Sequence, residues 1–117
     1  MAAQEFIKGT IKTLVLKLLS EKRKMYGYEI SSKVKELSNE EIQLTYGALY
    51  PILYKMESEG LLSAESELVD NRARKYYSLT KKGNEMAKVK VSELEQFIDT
   101  VKGILLAPKR SFEIWGR

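Results

Sequence analysis

A chain of 117 residues, 44% hydrophobic and 31% charged, suits one domain with a single core and is too short for two. A formal net charge of +4 and a pI of about 9.2 lean toward an anionic partner, while the lack of cysteine and histidine excludes disulfides, thiolate sites and the commonest general base and metal ligand. No apolar run approaches the roughly 20 residues of a membrane helix, and Met1 to Gln4 carries no secretion signature, so the sequence reads as a cytoplasmic, non-enzymatic chain with no cofactor and no membrane partner.

From Phe6 to Leu19, the apolar residues Ile7, Ile11, Leu14, Val15, Leu18 and Leu19 recur at helical spacing, with Lys8, Lys12 and Lys17 off the stripe, which predicts a first amphipathic helix. The polar cluster Ser20 to Lys24 ends it. Tyr26-Gly27-Tyr28 then opens a second helix of about three turns carrying Ile30, Val34 and Leu37. Ser38 to Glu41 reads as a connection and Ile42-Gln43-Leu44 as a brief extended piece. Thr45 has the chemistry of an N-cap for a third helix, whose stripe Leu49, Ile52, Leu53 and Met56 is closed by Gly60. Pro51 inside this helix removes one backbone hydrogen bond and predicts a kink or a later start. Leu61 to Glu67 and Lys75 to Leu79 read as short strands joined by a polar, basic turn from Leu68 to Arg74. Thr80 caps a last helix running from Lys81 to about Leu106, in which Ala87, Val91, Leu94, Ile98, Val101 and Leu105 alternate spacings of four and three. Ala107 to Arg117 opens with Pro108, lacks periodicity and reads as a flexible tail; its Trp115 is either native or a cloning remnant.

Three helices followed by a hairpin is the order of a winged helix-turn-helix, a mainly α (α+β) fold with a two-stranded β wing and, here, a long C-terminal dimerisation helix. The expected division is a DNA-binding domain over 1–80, the dimerisation helix over 81–106 and the tail over 107–117. Particular residues sharpen this. Through Tyr26-Gly27-Tyr28-Glu29-Ile30, Leu49-Tyr50-Pro51, Leu53, Met56-Glu57, Glu59-Gly60-Leu61-Leu62 and Arg74-Lys75-Tyr76-Tyr77-Ser78-Leu79-Thr80, the chain resembles the PadR family of transcriptional regulators from Ile11 to about Gly83. The resemblance implies a dimeric, usually repressing DNA-binding protein of the family's shorter subclass, whose C-terminal helix packs with the partner's first and last helices. It also implies DNA contacts from Thr45, Tyr46, Tyr50 and Lys55 on the third helix and from Arg72, Arg74 and Lys75 on the wing. Some members bind planar drugs between subunits through a tryptophan on the last helix. The matching position here is Leu94, with Phe97 beside it, which departs from that pattern.

Each assignment competes with a plainer reading. Tyrosines tolerate half-burial, so the third-helix face could be an ordinary solvated surface, and three cations near a turn usually mean a solvated turn. Tyr76 and Tyr77 alternate across their strand, so one faces the core and the other outward. About 25 helical residues extend roughly 37 Å, longer than one winged domain covers, and an apolar seam of that length wants a partner. Phe6, Ile7 and Ile11 join the seam as interface candidates. The carboxylates Glu57 and Glu59, or Glu65 and Glu67, have no nucleophile, metal cluster or phosphate loop beside them to make an acid–base site. The expected function is a homodimeric regulator on a pseudo-palindromic operator, its recognition helices about 34 Å apart, with room for a small-molecule effector that the sequence does not name. The alternative is a winged helix used as a protein-interaction module, with the third-helix tyrosines on a partner protein.

Overall fold

The computed structural model describes residues 3–113. In chain order it contains α1 (Ala3–Ile7), a 3-10 turn (Lys8–Thr10), α2 (Ile11–Glu21), β1 (Met25–Tyr26), α3 (Gly27–Leu37), α4 (Tyr46–Ser58), β2 (Leu62–Val69), β3 (Arg72–Leu79), α5 (Lys81–Leu105) and a second 3-10 turn (Lys109–Phe112). The single first helix expected from Phe6 to Leu19 is thus broken into α1 and α2, where the chain tightens over Lys8-Gly9-Thr10. Residue Leu16, which lay off the expected stripe, is fully buried beside Ile11, Val15 and Leu19, while Leu14 and Leu18 are half-buried. The third predicted helix is α4. It is capped as expected, with the Thr45 Oγ1 accepting from the Ala48 amide at 3.2 Å. Pro51 neither delays its start nor ends it. The residue four positions earlier, against whose carbonyl the proline ring presses, is the exposed Gly47.

At the other end of α4 the chain makes a paired closure: the Leu61 amide donates to the Met56 carbonyl and the Gly60 amide to the Glu57 carbonyl. Gly60 has φ +80°, where a side chain would be strained, so glycine supplies the reversal that aims the chain into β2. Leu49, Leu53 and Met56 of α4 are buried against Val15 and Leu16 of α2, Ile30 and Val34 of α3, Leu44, Leu61 and Tyr77, forming the core. Leu37, placed on the second helix's stripe by spacing, is exposed because α3 ends there.

The wing differs from its expected form. Its strands pair from Leu62↔Leu79 to Val69↔Arg72, leaving only Asp70 and Asn71 in the turn. Both have positive φ, 51° and 62°, the geometry of a two-residue turn that matches the twist of its strands and favours Asn and Asp. Arg72, Arg74 and Lys75 therefore lie on β3, not in a turn. A third strand, β1, pairs Met25↔Tyr77 and Tyr26↔Tyr76, so the sheet has order β1-β3-β2 rather than two strands. Ile42-Gln43-Leu44 joins no strand, although Leu44 is buried.

Helix α5 packs along α2 and then leaves the domain. Gly83 and Ala87 are its only buried residues, and the molecule measures 69 × 30 × 21 Å with a radius of gyration of 17.8 Å. A compact chain of this length would have a radius of about 13 Å. After α5 the expected tail forms the short 3-10 turn at Lys109–Phe112; Trp115 lies outside the described residues. No helix among the described residues is long and apolar enough to cross a membrane.

Candidate nucleic-acid interface

The exposed face of α4 is built on a ladder of tyrosines four residues apart. Tyr46 meets Tyr50 edge-on with ring centroids 5.6 Å apart, and Tyr50 lies 6.0 Å from Tyr54. Tyr46 and Tyr54 are exposed, whereas Tyr50 is half-buried, its hydroxyl against the Cα of Gly27 at the start of α3. A side chain at position 27 would overlap that ring. Burial, reinforced by the phenols of Tyr46 and Tyr54, raises the Tyr50 pKa. The ring therefore joins α4 to α3, and its hydroxyl does not stand out beside Lys55, which is exposed. Thr45 is exposed at the N-cap, where free backbone amides favour an anion.

Strand alternation sends the three wing cations two ways. Tyr77 points into the core, so Lys75 shares its side of the sheet, while Tyr76, Arg74 and Arg72 occupy the other. Lys75 binds the Glu57 carboxylate of α4 at 3.1 Å and lies 5.2 Å from the Tyr54 ring centroid. The hydrogen bond to Glu57 is the main reason its pKa is raised. Arg74 stacks over Tyr26 at 4.7 Å and is held charged first by a hydrogen bond to Tyr76. Arg72, beside the turn, is exposed and makes no ion pair among the described residues.

Spacing did not reveal that Tyr26, Tyr28 and Tyr76 form a second aromatic group around Arg74. Tyr26 and Tyr28 lie 6.3 Å apart, and Tyr26 meets Tyr76 edge-on at 5.4 Å. Lys24 binds Glu67 and lies over Tyr76, closing the group's edge. The signal was compositional: all seven tyrosines of the chain fall in β1, α3, α4 and β3. The carboxylate pairs that composition offered as acid–base candidates are engaged as ion pairs, Glu57 with Lys75, Glu59 with Lys12 and Glu67 with Lys24.

A second surface lies along α5. Leu94, Phe97, Ile98, Val101 and Leu105 face Phe6, Ile7, Leu14 and Ile42 across an apolar groove of about 700 Å³. Ile98 is 53% exposed, Phe97 63%, Phe6 74% and Leu105 76%, so most of the seam is open to water in the single chain. Ile11 and Ala87 are different: both are already inside their own core at 3% exposure, which leaves them little surface to offer a partner.

The chain is similar to known proteins over most of its length. A protein of Lysinibacillus sphaericus, itself uncharacterized, is 31% identical over 106 residues, covering 90% of this chain and 93% of that one. A transcriptional regulator from Clostridium thermocellum superposes with a TM-score of 0.75 at 28% identity, over 84% of this chain and 95% of that structure. A PadR family transcriptional regulator from Eggerthella lenta superposes with a TM-score of 0.73 at 30% identity, over 92% of this chain and 91% of that one. The family model for the transcriptional regulator PadR-like family matches residues 15–89, from the core of α2 through the wing to the buried start of α5, and the chain belongs to that family.

Proposed function

We propose that this transcriptional regulator is a homodimeric repressor that occupies a pseudo-palindromic operator, with α4 in the major groove and the wing on the adjacent backbone. DNA binding is implied by the family. The observation that carries the dimer is the open half of α5, where Phe97, Ile98 and Leu105 leave apolar surface in water beside an apolar groove. A second copy related by a twofold axis lays the same surface on it and buries both. On the DNA side, Thr45, Tyr46 and Lys55 meet phosphates or base edges, Tyr50 positions the helix, and Arg72 meets the backbone without first leaving another partner. Arg74 acts from its tyrosine setting, and Lys75 must give up Glu57 to reach a phosphate. A small molecule entering the groove alters repression only if it binds the operator-competent and incompetent helix spacings with different affinity.

The test is an electrophoretic mobility shift on the DNA upstream of the chain's own gene, repeated across a salt series. Binding by one dimer, with log affinity falling by about 0.9 per phosphate neutralised against log salt, is the expected result. Absence of a shift at low salt overturns the reading and favours a protein-interaction module.

A further inference from the structure

Three helices converge where α4 ends. The Glu59 carboxylate binds Lys12 of α2 at 3.2 Å, and the Glu59 carbonyl accepts from the Lys82 ammonium of α5 at 2.9 Å. The Thr80 hydroxyl donates to the Gly60 carbonyl at 2.6 Å and accepts from the Gly83 amide at 3.0 Å, while the Thr80 amide donates to the Leu61 carbonyl at 3.1 Å. Gly83 is buried directly against that same Leu61 carbonyl, so closely that a methyl group there would overlap it. One threonine thus caps α5 while clamping it to the reversal that closes α4. Little slack remains in such a joint, because backbone atoms form most of it.

We infer that this Glu59–Leu61/Thr80–Gly83 joint is a positioning element that fixes the direction of α5 relative to α4 and so sets the distance between the two recognition helices of the dimer. The inference rests on the proposed dimeric DNA-binding reading and deepens it. Packing on α2 decides which side of α5 faces the domain, and the joint fixes where its first turn stands. From that turn α5 extends 25 residues, about 37 Å, so a rotation of roughly 5° at the joint moves the far end by about 3 Å. That displacement is close to the roughly 3.4 Å step between base pairs, so a small change at Gly83 alters which half-site spacing the dimer fits.

The chain has no cysteine, which permits clean spin labelling at Gly47→Cys, where a side chain meets nothing within 4 Å, and at Thr100→Cys on exposed distal α5. Dipolar spectroscopy on doubly labelled protein, diluted with unlabelled chain and free of DNA, reports the α4–α5 geometry. In the Gly83→Ala background the distance distribution is expected to shift or broaden by more than about 2 Å, as the lever arm requires. A superimposable distribution in folded Gly83→Ala protein overturns the inference. If Gly83→Ala does not fold, Thr80→Val takes its place: a broadened distribution restored by Thr80→Ser supports the joint, and an unchanged one overturns it. With operators whose half-sites are moved by one or two base pairs, the variant's preference for its best spacing is expected to fall about tenfold, roughly 1.4 kcal/mol. An unchanged preference in a variant that binds DNA also overturns the role in spacing. Should the unsubstituted chain bind no DNA while the label distance still shifts, the DNA reading fails and the mechanical joint stands.

Discussion

At the scale of single residues, the contact between Gly27 and Tyr50 changes what Tyr50 is for. Its position off the buried stripe of α4 suggested a hydroxyl aimed at DNA, but the ring is half-buried and its hydroxyl lies on the Gly27 Cα. No single-helix pattern could show this, because the partner is contributed by the start of another helix. Gly27→Ala forces the ring aside in a packed site, and overpacking of this kind costs about 1–3 kcal/mol. Urea unfolding is expected to show that loss. In a Tyr50→Ala background the same change should be nearly silent, since the clashing ring is gone and alanine suits a helix better than glycine. Additive effects of the two substitutions would mean that the two residues do not share a site.

Among the elements, legibility followed the range of the forces. Thr45, Gly60 and Thr80 act on backbone within a few residues of themselves, and all three helix ends were readable from them. Strand β1 was not, because two residues carry no periodicity and Met25-Tyr26 becomes a strand only by pairing with Tyr76 and Tyr77, fifty residues away. The wing turn was drawn too long for a related reason: Leu68-Val69 and Arg72-Ala73-Arg74 look polar and irregular in sequence, yet Asp70-Asn71 alone reverses the chain. Placing the cations on a strand sorts them by face, and this has a measurable consequence. Arg72→Ala should lower the slope of log affinity against log salt by about 0.9, the effect of one phosphate contact. Lys75→Ala should lower it less, because Lys75 is held by Glu57 in the free protein. Glu57→Gln, which releases Lys75, should strengthen binding at low salt on specific and random DNA alike. Equal slopes for Arg72→Ala and the unsubstituted chain would remove the wing from the backbone contact.

For the whole molecule, the regular four-three seam on the last helix was legible in outline, but not where the domain stops using it. The structure draws that line within the seam itself: Ala87 is buried, Val91 and Leu94 are half-buried, and from Phe97 onward the helix stands largely in water apart from the half-buried Val101. The early part of the seam serves the chain's own fold, and only the later part is free to join two chains. Leu94→Asp and Ile98→Asp put carboxylates on opposite sides of that boundary. In a dimer each would be buried between apolar helices, a penalty of several kcal/mol for an ionised group without a partner. In the monomer Ile98 is 53% exposed, so Ile98→Asp should leave folding almost untouched while Leu94→Asp costs some stability of its own. Sedimentation should then find both variants monomeric at micromolar concentration, with far-UV helicity largely kept because Leu16, Ile30, Leu49, Leu53 and Met56 hold the core elsewhere. Operator affinity should fall well beyond the loss of one half-site's contacts, since the second domain no longer benefits from the effective concentration set by the first. A folded Ile98→Asp protein that sediments as a dimer would show that the open half of α5 is not where the two chains meet, and the operator geometry proposed for them would fall with it.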